Sequence, residues 1–140
     1  MNQITFRFAT TNDAPTLASF NQLLIRDEGH RNSMNLGELT ERMSGWLSAE
    51  YQGVVFELGS SPVGYALFRR EPDYVYIRQL FVHLDHRRNG IGRHAIDWMR
   101  QNAWPDKSRL RIDVLVGNTT AHEFWKSVGF RDYCITMELE

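Results

Sequence analysis

The spacing of apolar residues divides the first third of the chain into one strand and two helices. Apolar and polar residues alternate over 4–8, which predicts a strand with one buried face. Apolar residues three and four positions apart then predict two helices, separated by the polar stretch 26–32. Asp13 has the chemistry of an N-cap for the first helix, and the Asn-x-x-Glu sequence at 35–38 resembles a capping box for the second.

Three apolar stretches in the middle of the chain predict consecutive strands at 54–58, 63–68 and 75–84. A Gly-Ser-Ser-Pro turn makes the first two a hairpin. The third leads through a glycine-containing loop into a helix that begins at Gly90, and another strand follows at 110–116. A strand, a helix and a strand in this order imply a parallel crossover connection.

The C-terminal part of the chain predicts one more helix and one more strand. Thr120 and Glu123 form a capping-box pattern, and Gly129 sits where a helix C-cap belongs. Residues 130–139 are predicted to form the last strand. The complete order is therefore β-α-α-β-β-β-α-β-α-β. It indicates an α/β fold of the mixed-sheet (α+β) kind, with residues 1–140 in a single domain.

Composition limits the classes of partner. A chain of 140 residues with 42% hydrophobic content can bury one core without disulfides or metal. Its 16 basic and 17 acidic residues give a net charge of -1, so no overall field favours nucleic acid or an anionic membrane as a partner. Cys134 is the single cysteine, and no stretch reads as a signal peptide or a membrane span. These features favour a soluble, cytoplasmic protein in which any anion site is local.

The loop at 85–93 has the properties of a polyphosphate site. Gly90 and Gly92 allow positive φ and remove side chains, so successive backbone N–H groups can point into one concavity. The helix that begins there adds unpaired N–H groups and a partial positive charge. Arg87, Arg88 and Arg93 are available to neutralise an anion. The alternative is a tight turn whose arginines face water.

This loop resembles the central motif of the GNAT superfamily of N-acetyltransferases: Arg or Gln, two variable residues, Gly, one variable residue, then Gly or Ala. The segment 87–92, Arg-Arg-Asn-Gly-Ile-Gly, matches that motif. Upstream, Leu-Phe-Val at 80–82 looks like the family's bulged strand, and downstream 118–130 has the family's spacing from Asn to Ala to Gly-Phe. Two motifs in the right order are more specific than one, and the resemblance spans nearly the whole chain.

The resemblance implies that acetyl-CoA, or another acyl-CoA, is the co-substrate and lies where two central strands splay apart. The backbones of Phe81 and Val82 would orient the acyl carbonyl. An acetyl group would pass to a primary amine, on a small molecule or a peptide, by direct attack, and no metal is implied. The implied cofactor-binding residues are Leu80, Phe81, Val82, Arg87, Arg88, Asn89, Gly90, Ile91, Gly92, Arg93, Asn118 and Trp125.

Two positions depart from the family's pattern. Relatives often place a carboxylate in the strand before the loop, whereas this chain has Arg78 and Gln79. Relatives also often carry Tyr where this chain has Trp125. An indole N–H can donate a hydrogen bond to the leaving thiolate but cannot protonate it. Tyr133 and Tyr76 are the candidate replacements for the general acid.

Glu28 and His30 are the candidates for the general base and for acceptor binding, because the polar stretch between the first two helices falls where relatives build the acceptor pocket. An imidazole titrates in a range that suits this role. A solvated loop with Gly29 as a helix C-cap explains the same residues. Arg78 either binds a carboxylate or phosphate on the acceptor or pairs with Asp113.

Other functions remain as alternatives. The absent strand carboxylate and Trp125 also fit a non-catalytic acyl-CoA sensor of the same fold. The G-x-G-x-x-A sequence at 90–95, with Asp113, matches the fingerprint of a dinucleotide-binding oxidoreductase, although its glycines come late after the strand. The His and Asp residues at 83–86 lack zinc-ligand spacing, so no metal site is predicted. The oligomeric state is open, a homodimer included.

Overall fold

The computed structural model describes residues 3–29 and 31–140. Single turns of 3-10 helix at Thr11–Asp13 and Leu84–His86 precede the first and third α-helices. In chain order, the elements are β1 (Ile4–Phe8), α1 (Ala14–Glu28), α2 (Leu36–Ser48), β2 (Gln52–Leu58), β3 (Ser61–Arg70), β4 (Val75–Val82), α3 (Ile91–Asn102), β5 (Leu110–Ile112) and α4 (Thr119–Ser127).

The five strands form one sheet in the order β1-β2-β3-β4-β5. Neighbouring strands are antiparallel except for β4 and β5, which are parallel and joined through α3. The sheet is therefore mixed, as the residue pattern predicts. The pairing of β3 with β4 shifts where Leu67 faces Gln79 and Phe68 faces Ile77, so Arg78 is an extra residue on β4. This β-bulge lies just upstream of the predicted site.

Helices cover both faces of the sheet. On one face, α1 and α2 bury Leu17, Phe20 and Met43 against Tyr65 and Phe81. On the other face, a second core packs α3 and α4 against alternate residues of the same strands. Its buried members include Val54, Phe68, Ile77, Ile96, Met99 and Trp125. Because side chains alternate along each strand, the same strands contribute residues to both cores. Across 3–29 and 31–140, no helix combines the length and the apolar character that a membrane crossing needs.

The structure confirms most of the predicted helix caps. Asn35 and Glu38 form the predicted capping box at the start of α2, and Gly29 ends α1 with a φ of 66°. Asp13 is the N-cap residue of α1, as predicted, but its side chain makes no capping bond there, because its carboxylate accepts from the N–H of Thr10 and pairs with Arg7. The capping box predicted at Thr120 is wrong.

The cap of α4 lies two residues earlier than predicted. The Oδ1 of Asn118 accepts from the N–H of Ala121 at 3.2 Å, so Thr120 falls inside the helix. An Asn side chain caps as well as a Thr side chain, and the chain enters the helix at the first of them. At the other end, Val128 is the C-cap, and Gly129 follows it with a φ of 107°.

The C-terminal end differs most from the prediction. The strand predicted at 130–139 does not form, and β5 ends at Ile112 although a strand was predicted as far as 116. Residues 131–140 make no backbone hydrogen bond to any described residue. Their alternating apolar side chains are open to solvent, with 70% of Tyr133, 82% of Ile135 and 88% of Met137 exposed. A strand needs a partner for its backbone groups, and the described chain offers this segment none.

Candidate functional site

The loop between β4 and α3 presents a row of unpaired backbone N–H groups. Arg88 and Gly90 both have positive φ, 70° and 75°, so the chain bends twice before α3 begins. Gly90 occupies the N-cap position without a side-chain cap, and the first backbone bond of the helix runs from His94 to Gly90. The N–H groups of 88–93 donate to no described acceptor. This arrangement suits an anion with several oxygens, because a helix N-terminus also carries partial positive charge.

The two glycines of this loop have different roles. A Cβ on Gly90 would meet nothing within 4 Å, so this residue is required for its backbone conformation and leaves open space in front of the helix. A Cβ on Gly92 would lie 3.0 Å from Cζ of Phe124. Gly92 therefore lets α3 pack closely against α4, a role that the sequence interpretation did not assign to it.

The three arginines of the loop also differ. Arg87 pairs with Asp27 of α1, and its Nε donates to the backbone O of Val82 at 2.8 Å. Arg93 donates to the backbone O of Ser127 at 2.9 Å. Arg88 is exposed, and its side chain makes no hydrogen bond or ion pair with the described residues. Arg87 thus ties α1 to the end of β4, whereas Arg88 is the loop arginine best placed to meet an anion.

The parallel strands β4 and β5 separate after a short paired stretch. Their pairing covers Val75–Ile77 against Leu110–Ile112 and then stops, which confirms the splayed strand pair. The N–H of His83 donates to the O of Val63 on β3. Backbone groups alternate in direction along a strand, so those of Phe81 also face β3. Leu80 and Val82 consequently direct their backbone groups into the gap. Of the two backbones expected to hold the acyl carbonyl, Val82 faces the gap and Phe81 faces β3.

A buried polar group lies on the α1 and α2 side of β4. Tyr65 has no exposed surface, and its hydroxyl donates to Oε1 of Gln79 at 2.7 Å. Burial is the main cause that raises the pKa of Tyr65 well above 10, and the charge of Glu28 adds to it while that of Arg42 opposes it. Tyr65 is therefore a neutral hydrogen-bond donor. Glu28 and Arg42 are both half-buried, and Arg42 donates to Asn21 of α1, the helix that ends with Glu28.

The bulge in β4 brings Arg78 to the same face as Gln79, where it joins a group that we call the arginine–aromatic cluster, made of Arg42, Trp46, Tyr51 and Arg78. The guanidinium carbons of Arg42 and Arg78 lie 4.3 and 4.6 Å from the centroid of Trp46. Arg78 also donates to the Tyr51 hydroxyl at 3.4 Å. The sequence analysis named Arg78 but missed the other three members, which come from α2 and from the turn that follows it.

Arg78 does not pair with Asp113, which was one of its two predicted roles. Instead, the Tyr76 hydroxyl donates a hydrogen bond to the Asp113 carboxylate at 3.0 Å. Burial and the Asp113 charge raise the pKa of Tyr76 to about 12. Tyr76 is therefore a poor proton donor at neutral pH.

Other predicted residues lie away from the loop or outside the described chain. Tyr133 is exposed and accepts from Arg111 at 3.2 Å, at the end of the sheet where β4 and β5 begin, so it does not lie with the loop that follows β4. Trp125 is 5% exposed and packs edge-on against Phe124 and Phe130 in the core. Asn118 uses its side-chain oxygen to cap α4, as described above. His30 lies outside the described residues.

The site combines a splayed pair of parallel strands with a loop that presents unpaired backbone N–H groups at the start of a helix. The family model of the acetyltransferase (GNAT) family matches residues 17–130. The chain therefore belongs to the GNAT family and is an acyltransferase. This assignment excludes the alternative of a dinucleotide-binding oxidoreductase. No curated protein sequence matches the chain significantly.

Solved structures with the same fold are distant in sequence. A protein described as a possible acetyltransferase from Clostridium difficile 630 has a TM-score of 0.80 at 18% identity, with 98% of this chain and 96% of that chain covered. Aminoglycoside N-acetyltransferase AAC(6')-Iy in complex with CoA has a TM-score of 0.80 at 12% identity, with 100% and 95% covered. A predicted acetyltransferase from Clostridium acetobutylicum, with acetyl-CoA, has 0.75 at 20% identity, with 99% and 96% covered.

Proposed function

We propose that this chain transfers an acetyl group from acetyl-CoA to a primary amine by direct attack of the amine on the thioester. The observation that carries the proposal is the row of unpaired N–H groups at 88–93 at the start of α3. The diphosphate of the cofactor supplies acceptors for such donors, with Arg88 nearby to neutralise charge. Structural relatives that hold CoA or acetyl-CoA support the choice of ligand.

The gap between β4 and β5 fits the remainder of the cofactor. The pantetheine arm carries amides that can pair with the open backbone groups of Leu80 and with the N–H of Val82, as an added strand does. The thioester carbonyl then lies near the N–H groups of the same edge. A fixed donor there stabilises the negative charge that develops on the carbonyl oxygen during attack.

Glu28 is the group that we assign as general base. It ends α1, is half-buried, and acts electrostatically on Tyr65 beside Gln79, on the strand that leads to the acyl site. Glu28 takes a proton from the ammonium form of the acceptor, and the freed lone pair attacks the thioester carbon. The C–N bond forms, the C–S bond breaks, and the thiolate leaves with its electron pair. The proton left on the new amide nitrogen passes to the thiolate or to water.

The test is release of the CoA thiol from acetyl-CoA in the presence of amines, read together with thermal unfolding. Acetyl-CoA is expected to raise the unfolding midpoint because it binds only the folded state. Thiol release should depend on the amine and yield the N-acetylated product. Stabilisation without release from any class of amine would favour the non-catalytic sensor. A covalent acetyl-enzyme, seen as a mass increase of the protein, would contradict direct attack.

A further inference from the structure

Two arginines from different elements meet on one indole ring on the α1 and α2 face of the sheet. Arg42 reaches Trp46 from within α2, and Arg78 reaches it from the bulge of β4. Arg78 points away from Ile77, which lies in the core on the α3 face, because strand side chains alternate. The bulge lets the next residue, Gln79, face the same side as Arg78, where it meets Tyr65. Arg78 is thus a second cation on a face that already carries Arg42.

The charges of this pair are not balanced by carboxylates. Within 3–29 and 31–140, neither Arg42 nor Arg78 forms an ion pair, whereas Arg69 nearby pairs with Glu71. Arg42 donates to the amide oxygen of Asn21 at 3.0 Å, and its Nε is buried without a partner. Burial, and next the charge of Arg78, lower the pKa of Arg42.

An anion between the two guanidinium groups would supply both the missing hydrogen-bond acceptors and the missing negative charge. It would accept from the N–H groups that lack partners, and it would replace repulsion between like charges by attraction. Trp46 and Tyr51 wall the same space with flat apolar surface, which strengthens such contacts by excluding water. Arg42 donates to Asn21 on α1, and Glu28 lies seven residues further along the same helix, so two turns of one helix face separate the carboxylate assigned to the ammonium end from the arginines.

We infer that the acceptor is a primary amine that also carries a carboxylate or a phosphate, with the anion held by Arg42 and Arg78 and the amine at Glu28. This inference rests on the proposed function and names the class of its acceptor. A polycationic acceptor such as an aminoglycoside is disfavoured, because its additional ammonium groups would lie against two unpaired guanidinium groups.

The kinetic test uses acceptors in charge-matched pairs. β-Alanine is compared with β-alaninamide, and phosphoethanolamine with ethanolamine, so that the carboxylate and phosphate sources are separated. The anionic member of at least one pair should have a kcat/KM about tenfold or more above its neutral partner. Arg42→Gln and Arg78→Gln should reduce that value by roughly ten- to a hundredfold for the anionic amine only. Arg100→Gln, an exposed change on α3, should leave it unchanged. Equal or better turnover of the neutral amines would overturn this inference and leave the proposed acetyl transfer unaffected.

A binding measurement separates this inference from the proposed function. Glutarate and inorganic phosphate, which have no amine to react, are titrated calorimetrically into the CoA complex of the protein. The anion site is supported if the wild type binds one of these anions and Arg42→Gln binds it about tenfold or more weakly. This holds even where no amine is turned over. The absence of binding, or binding that both glutamine variants retain, overturns it.

Discussion

Gly90→Asp is expected to weaken acetyl-CoA binding by about a hundredfold or more. Asp tolerates positive φ better than most residues, and the space in front of Gly90 is open, so the fold should accept the side chain. A negative charge about 4 Å from a phosphate costs several kcal/mol at an effective dielectric constant of about 20, of which about 2.7 kcal/mol already gives a hundredfold loss. Calorimetric titration with acetyl-CoA measures the effect.

Gly90→Asn is the matched control for this change. Asn has nearly the same shape and the same tolerance of positive φ but no charge, so it should lose far less affinity than Asp. Gly92 is unsuited to this purpose, because a side chain there would collide with Phe124 and disturb the packing of α3 on α4. Equal affinities in the two Gly90 variants would show that the diphosphate binds elsewhere.

Glu28→Gln is expected to lower kcat by about 10²- to 10⁴-fold, while the affinity for acetyl-CoA stays within about twofold. An amide cannot take the proton of the attacking ammonium, whereas the cofactor loop does not involve this residue. The acidic limb of the kcat profile, which reports ionisation of the essential base in the ternary complex, should also disappear. Steady-state kinetics with saturating acetyl-CoA checks both results.

The control for Glu28 is Glu41→Gln, an exposed carboxylate on α2, which should leave kcat unchanged. A Glu28→Gln variant with full kcat would remove Glu28 from the mechanism and transfer the role of base to His30 or to solvent. A variant with an unchanged kcat and a raised KM would instead indicate that Glu28 only binds the acceptor.

Long periodic segments were the most predictable part of the fold. The pattern placed β1–β4, the first three helices and the capping box at Asn35 correctly, because each depends on residues close together in the chain. The C-terminal strand could not be predicted in this way. Residues 130–139 have the alternation of a strand, but a strand also requires a neighbour, and that depends on the whole fold.

The cofactor side and the acceptor side of the candidate site also differ in how far the sequence predicts them. The cofactor loop is one continuous segment, so its glycines, its arginines and the helix start were evident from the sequence. The acceptor side is assembled from α1, α2, β3 and β4. Tyr65 and Arg42 are ordinary residues within their own segments, and they become notable only when the fold brings Tyr65 to Gln79 and sets Arg42 and Arg78 on the same Trp46 ring.

The sequence by itself determined the order of the elements as far as α4, the family resemblance and the loop that presents backbone donors, because each depends on residues close together in the chain. Only the tertiary structure decided which groups meet on the α1 and α2 face of the sheet, where Arg78 of β4 and Arg42 of α2 both contact Trp46. It also placed Trp125 in the core and Tyr133 at the far end of the sheet. Contacts between distant segments are set by packing, which no local pattern records.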